Sequence, residues 1–528
     1  MSTEGAQTLS TNGPRGVRPR ASYSEAAAFG GLSFVAMAAL GVVSAIVVAR
    51  VYGIEVVGQY ALVIAPVSAV AFLSSLRERA AFVREIATLE PGAPRVTALF
   101  VAMLAFSSAL TVVVAAAGML ITYLVFAGPI GEPGLFAPAL VNMAGFAVLG
   151  NTAWNLDAVL SGFRAGRQLL WIRLHQAAAF LAFAVVLGVV HTTVWALVAA
   201  TIGATATSLI HRIASARTFI RANVSAADLH DGFRTLPEMI RFGLKVVPGS
   251  IANGVTNEVG TWVIGWFGTV TAVGAYNRAW TLGRRLVDLN WTVTEMLFPT
   301  LVERRRGGDR PGFDRATADT IRYCAMGLLL PAAVAGGAAE GVMALFGPGF
   351  SVAADALALL LLMPTLLSIT AVLRTVLLAV DRPLASSIVS LTAAAVTVVA
   401  VIVLTAWLGV TGTALGMVIG AVSNLLLLSA VVRRDFAEPL FRRLGARELV
   451  AIALAFAVGF AAASTVQAAV GGLAGLLPAL GAGTAVYLAL LWAAGGINER
   501  DRARAAALAT RVRAHRPGRH ARSRSTAA

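Results

Sequence analysis

The sequence predicts an all-α polytopic membrane protein of about fourteen transmembrane helices, arranged as two pseudo-symmetric six-helix lobes plus two extra C-terminal helices. Three observations predict it. The mean hydropathy is +0.79 and only 13% of the 528 residues are charged, a balance foreign to soluble domains. Apolar runs of about 20 residues, the length that a bilayer core demands, recur between short polar breaks. Finally, the spacing of Gly53, Gly58 and Tyr60 returns two hundred residues later, one residue longer, at Gly268, Gly274 and Tyr276.

Taken in order, residues 1–26 are polar and predict a disordered cytoplasmic N-terminus. Apolar runs at 27–49, 57–76, 96–125, 136–160, 168–190 and 192–211 predict helices 1–6 of an N-lobe, 27–211. The first run is too long for a cleaved signal peptide. A basic stretch, 212–242, predicts a cytoplasmic linker. Runs at 243–265, 274–299, 320–342, 354–378, 384–406 and 411–432 predict helices 7–12 of a C-lobe, 243–432. Within 433–495, runs at 448–468 and 474–495 predict helices 13 and 14, and 496–528 is a basic cytoplasmic tail.

Orientation follows from charge, because Lys and Arg are retained on the cytoplasmic side of short loops. Of the 42 basic residues, 36 fall in loops that alternation puts on one side. The opposite loops hold only Arg50, and Arg173, Arg278, Arg284, Arg285 and Arg374 lie inside spans. Both termini are therefore expected in the cytoplasm. The net charge of +16 is then mainly topology rather than a nucleic-acid footprint, so nucleic acid is not an expected partner. The tail RARAAALATRVRAHRPGRHARSRS is expected to lie solvated against anionic headgroups, with an acidic protein or nucleic-acid contact as the alternative. Cys324 is the only cysteine, which excludes an intramolecular disulfide and a cysteine metal cluster, and the six histidines show no ligand spacing; no metal is expected.

The repeat extends beyond its glycines. Phe29-Gly30 and Phe242-Gly243 open the two copies, and FAGPIGEPGLFAPAL is answered by LFGPGFSVAADALAL. An offset of six helices preserves orientation, so the copies are parallel repeats, as in a transporter with two lobes about a central site. A tight outward turn between packed helices needs residues without a Cβ. Gly53, Gly58, Tyr60, Gly268, Gly274 and Tyr276 are accordingly read as an outer hinge.

The segments GIEVVGQYAL, AFVREIA, GTVTAVGAYNRAW, MLFPTLVER and LFGPGFSVAADALALL resemble the Wzx-type flippases, the polysaccharide-transporter branch of the MATE-like multidrug/oligosaccharidyl-lipid/polysaccharide (MOP) exporter superfamily, over residues 25–435. The resemblance implies a flippase of the bacterial plasma membrane. It would move an undecaprenyl-diphosphate-linked oligosaccharide to the outer leaflet by alternating access, for cell-surface polysaccharide biosynthesis, with membrane lipids and polysaccharide assembly proteins as partners. It also implies family positions at Gly53, Gly58, Tyr60, Arg84 and Glu85, and at Gly268, Gly274, Tyr276, Pro299 and Gly347. Leu76-Arg77-Glu78-Arg79 departs from the small, Gly-containing turn usual after the second helix.

An ionisable side chain within a span usually faces a cavity or a partner. At about 100° per residue, Arg278, Thr281, Arg285, Asp288, Thr292 and Glu295 share one arc of the eighth span, with Arg284 at its edge. In the seventh, Ser250, Asn253, Asn257 and Thr261 form a second stripe beside Glu258. Together they predict a hydrophilic cavity lined by the C-lobe; the alternative is a structural salt bridge of Arg285 with Asp288 or Glu258. Arg278 and Arg374 are near enough to span ends to snorkel. Arg284 and Arg285 lie about eleven residues in, close to mid-membrane. Guanidinium groups suit a diphosphate, so Arg284, Arg285 and Arg278 are substrate-binding candidates, with Asn253, Asn257 and Thr292 meeting sugar hydroxyls. Asp288, Glu258 and Glu295 are candidates for coupling to a proton or sodium gradient or to the membrane potential; no other cofactor is expected.

Two other classes compete. A polytopic enzyme would need an outward loop carrying catalytic groups, and the longest outward loop, 343–353, has no acid, His or Arg, so an enzyme is not expected. A MATE-like cation-coupled exporter of small amphipathic molecules would favour acids in its cavity and twelve helices. A lipid II flippase would carry a basic first helix, whereas 27–49 is uncharged.

Overall fold

The computed structural model describes residues 23–73, 78–220, 224–244, 247–287, 289–436, 444–497 and 501. Among them are helices and turns and no strand, as expected where the solvent cannot satisfy an open amide. The first lobe comprises α1 (Tyr23–Leu73), α2 (Glu78–Ile86), α3 (Pro94–Ala127), α4 (Phe136–Gly145), α5 (Asn151–Gly162), α6 (Gly166–Val190) and α7 (Val194–Ala216). The first two expected spans form one run, α1, broken at Gly53. Its φ of 75° and ψ of 171° are open to a residue without a Cβ. A π-helical turn at 146–150 joins α4 to α5.

The expected linker is largely structured. α7 continues to Ala216, and α8 (Ala226–Leu244) lies along α3 and α2. Its period explains the seat: Gly232 and Met239 are buried and Leu229 and Leu236 half-buried on one face, while Phe233, Arg234 and Glu238 are exposed. A Cβ at Gly232 would stand 2.6 Å from the Ala98 carbonyl oxygen, so the two backbones nearly touch.

The second lobe comprises α9 (Val247–Phe267), α10 (Val270–Val287), α11 (Leu289–Arg306), α12 (Arg310–Gly337), α13 (Ala339–Ala344), α14 (Ala354–Leu360), α15 (Met363–Ala379) and α16 (Pro383–Val432). α16 merges the eleventh and twelfth expected spans across a break at Gly409 (φ 56°, ψ −131°). The single eighth span expected at 274–299 corresponds to two helices, α10 and α11. Helices α17 (Ala446–Val470) and α18 (Leu476–Ala493) flank the second lobe, packed on α12. Small residues bring them close: a Cβ at Gly337 would stand 2.5 Å from the Phe460 carbonyl oxygen, and one at Gly483 2.9 Å from the Ala463 Cβ. Beyond α18, Asp501 accepts hydrogen bonds from Arg322 at 2.7 and 2.9 Å and from Tyr323 at 2.6 Å, tying the chain back to α12.

By length and hydropathy, ten stretches of the described residues can cross a membrane, where the sequence predicts fourteen spans. Two of the ten, 36–72 and 384–435, contain the glycine breaks. The regions of the seventh and eighth expected spans, α9 to α11, are not among the ten; Arg278, Arg284, Arg285 and the α9 amides dilute their apolar character.

One apolar core runs through both lobes, with Tyr52, Val57 and Leu62 of α1, Leu197 of α7, Val273 and Tyr276 of α10 and Leu357 of α14 all buried in it. Beside it, α5, α6 and α7 are clamped by a buried polar knot. Arg212 donates to Asp157 at 2.8 and 3.3 Å, to Gln176 at 2.9 Å and to Ser208 at 2.7 Å. The Arg212 side chain is only 4% exposed, so Asp157→Ala would strand its charge. That substitution is expected to lower stability by about 3–5 kcal/mol, read as a drop in the thermal unfolding midpoint in detergent, with Asp157→Asn intermediate.

Candidate functional site

Between the lobes lies a cavity of about 600 Å³ whose wall is built from α1, α6 and α7 on one side and α9 and α10 on the other. It sits on the basic-loop side of the Gly53 break: its α1 residues run from Met37 to Val48 before the break and from Tyr60 to Ser68 after it. The expectation of a cavity lined by the C-lobe therefore needs correcting. Two thirds of the lining residues belong to the N-lobe, because the polar face of α10 packs across the lobe interface against α1.

Arg278, Thr281, Arg284 and Arg285 of α10 all line the cavity, as do Glu258 and Thr261 of α9. Asn253 and Asn257 are half-buried on α9 and are not in the wall. Helical spacing puts them on the stripe with Thr261, one and two turns before it on α9, yet only Glu258 and Thr261 of that helix reach the wall. Asp288 lies outside the described residues; Thr292 and Glu295 belong to α11, with side chains outside the described set.

Charge in the cavity is lopsided. Four guanidinium groups, Arg173, Arg278, Arg284 and Arg285, face the single carboxylate of Glu258 among the described lining residues. Glu258 is close enough to Arg284 to feel its charge and accepts a hydrogen bond from Ser68 of α1; of the two partners considered for Arg285 from sequence, Asp288 lies outside the described residues. Arg285 reaches across to the first lobe: a Cβ at Gly41 would stand 2.8 Å from its Nε and 2.9 Å from its Cζ. Arg278 is 7% exposed, and its Nε has no hydrogen-bond partner.

The residues read as an outer hinge separate into three roles. Gly53 makes the α1 break, and Gly268 lies in the two-residue turn between α9 and α10. Gly58 and Gly274 are at no turn; they pack against each other across the lobes. A Cβ at Gly58 would collide with the Val270 carbonyl, one at Gly274 with that of Ile54, and each would stand 3.0 Å from the other glycine's backbone nitrogen. Equivalent positions of two repeats meet in this way where a two-fold axis passes between them. Tyr60 lines the cavity, whereas Tyr276 is buried against Gly260 inside the second lobe.

A second contact joins the lobes at that end. Arg50 donates from Nε to the Leu345 carbonyl at 2.8 Å and from Nη2 to that of Ala344 at 2.9 Å, satisfying carbonyls left over where α13 stops. Gly347 has a φ of 121°, and a Cβ there would stand 3.6 Å from the Arg50 Cδ. Of the other positions implied by resemblance, Arg84 and Glu85 pair at 3.1 Å on α2, and the side chain of Pro299 is outside the described set. In the unusual segment after the second span, Arg79 donates to Asn151 at 3.1 Å and to Asn155 at 3.4 Å and lies over Trp154, pinning α2 to α5.

Sequence reasoning left Arg173, Gln176, Phe180, Tyr60, Thr201 and Thr205 out of the cavity. A signal existed for two of them: Arg173 lies inside an apolar run, and Gln176 follows it by one turn on the same face.

Among known proteins, a family profile described as "Polysaccharide biosynthesis protein" matches residues 27–304. No curated protein matches the sequence. Two solved structures share the fold. The lipid II flippase MurJ in an inward closed conformation has a TM-score of 0.67 at 11% identity, covering 88% of this chain and 97% of that one. An inward-facing multidrug resistance MATE family transporter of the MOP superfamily has a TM-score of 0.59 at 15% identity, covering 76% of this chain and 94% of that one. With ten apolar spans and this architecture, the chain is a multi-pass membrane protein.

Proposed function

We propose a function from the premise that this chain belongs to the polysaccharide biosynthesis protein family: it is a flippase that carries a polyprenyl-diphosphate-linked oligosaccharide across the bacterial plasma membrane by alternating access. The observation that carries the reading is the interlobe cavity with four arginines against one carboxylate. Such a surplus, in a cavity walled by protein, suits a ligand of high negative charge density. Arg284 and Arg285 would hold the diphosphate, with Arg278, up to two turns away on α10, facing the same ligand nearer Tyr60. Glu258 is the acid in the wall available to couple movement to an ion gradient; Asp288 and Glu295 remain candidates on sequence alone. The charge balance disfavours an exporter of small cations, although the MATE fold is shared.

The contacts between Gly58 and Gly274 and between Arg50 and α13 would form the outer closure, opened as the cavity shuts at the basic-loop end, with both termini cytoplasmic. The work is transport rather than catalysis, with membrane lipids and glycan assembly proteins as the natural partners. Deleting the chain, extracting lipid-linked intermediates and probing their leaflet in spheroplasts tests the proposal. A diphosphate-linked oligosaccharide accumulating on the cytoplasmic face, with loss of a surface polymer, is the expected result. Unchanged lipid intermediates together with altered sensitivity to cationic dyes would overturn it in favour of a drug exporter.

A further inference from the structure

The cationic side chains are not shared evenly between the two lobes around the cavity. Three of the four arginines stand on α10 of the second lobe. Apart from Arg173, the first lobe contributes no charge: its lining is aliphatic side chains together with polar and aromatic ones, among them Tyr60, Phe180, Thr201 and Thr205, while the neutral Thr261, Asn277 and Thr281 come from the second lobe. Thr201 donates its hydroxyl proton to the Leu197 carbonyl at 2.9 Å, and Thr205 donates to the Thr201 carbonyl at 2.8 Å. With the Thr201 proton spent, the Tyr60 hydroxyl is the donor in its bond to Thr201. All three oxygens therefore turn toward a ligand only as acceptors. A phosphate oxygen cannot use them, since it offers no proton; a sugar hydroxyl can. The Phe180 ring, stacked on Tyr60 with centroids 6.5 Å apart, adds an aromatic surface of the kind that packs against apolar groups.

Distance separates the two chemistries. Arg278 stands beside Tyr60, whereas Arg285 is seven residues further along α10, about 10 Å away along the helix axis, near Gly41. We propose that the lobes divide recognition of one ligand, with Arg284 and Arg285 of the second lobe holding its anionic group and Tyr60, Thr201 and Thr205 of the first lobe reading the hydroxyls of the sugar attached to it, whose apolar face packs on the Phe180 ring. This rests on the flippase function proposed above. A cavity of about 600 Å³ is within the usual range of roughly 300–1,000 Å³ for small-ligand sites, so it reads the sugars next to the diphosphate and not a long glycan. Selectivity therefore belongs to the reducing end of the oligosaccharide.

The test is binding of two probes to the purified full-length protein: a bare polyprenyl diphosphate, and the same lipid carrying one N-acetylhexosamine. The unaltered protein is expected to prefer the glycosylated probe. Thr201→Val combined with Thr205→Val, shape-conserving changes, should reduce that preference about tenfold while leaving the affinity for the bare lipid unchanged. Tyr60→Phe, which adds no volume, should reduce it less. Arg284→Ala should weaken both probes by the same factor. The division of labour is overturned if the threonine pair weakens both probes alike, or if it changes neither while Arg284→Ala weakens both. Failure of the unaltered protein to bind either probe would instead overturn the flippase reading itself.

Discussion

Replacing Gly58 or Gly274 with leucine is expected to abolish closure of the lobes at the Gly53 end. At each position the first added carbon meets a backbone carbonyl of the opposite lobe, not the tip of a flexible side chain, so no rotamer change relieves the collision. Overpacking of this kind costs about 1–3 kcal/mol and more where backbone must move, enough to shift a two-state equilibrium by roughly tenfold or more. The measurement is labelling of a reporter cysteine, Ile54→Cys in a Cys324→Ala background, by a membrane-impermeant maleimide. Labelling should rise sharply in the leucine variants, and glycan export should fall. Arg50→Ala should act in the same direction with a smaller effect, since it removes two hydrogen bonds at an exposed site and adds no clash. Unchanged labelling in both leucine variants would mean that the glycine contact is not part of the closure.

Arg284→Ala with Arg285→Ala should eliminate transport of the lipid-linked glycan. Charge-assisted hydrogen bonds contribute about 1.5–3 kcal/mol each, so the pair should lower affinity for a diphosphate lipid by roughly 100-fold or more. Lysine at both positions should restore part of the loss, because it returns charge without the planar paired donors that fit phosphate. Normal glycan export from the double alanine variant would refute the assignment. Gly41→Leu offers a check from the other lobe: the arginines are untouched, yet the Arg285 guanidinium loses the space it occupies, and export should fall with the total cavity charge unchanged.

Much of the architecture was legible along the chain because it is governed by local rules. Hydropathy over about 20 residues marks spans, and the α1 and α16 breaks fall at Gly53 and Gly409, in gaps between apolar runs. The α10 stripe was legible for a similar reason: Arg278, Thr281 and Arg285 recur at helical spacing, and all three reach the cavity. On α9 the same rule succeeded for Thr261 and failed for Asn253 and Asn257. Periodicity identifies a polar face but not which of its residues a cavity reaches.

The sequence by itself determined a membrane-embedded, twofold-repeated helical chain with arginines inside an apolar run of its second half. Hydropathy, periodicity and internal similarity are properties of residues near one another or of copies aligned end to end. Only the tertiary structure decided that Gly58 meets Gly274 instead of shaping a turn, that Arg285 lies over Gly41, and that Tyr60, Thr201 and Arg173 face the arginines of α10. Each of those facts joins residues about seventy or more positions apart. A helix's own sequence fixes which side is polar, whereas the neighbour that side meets is set by how the lobes pack.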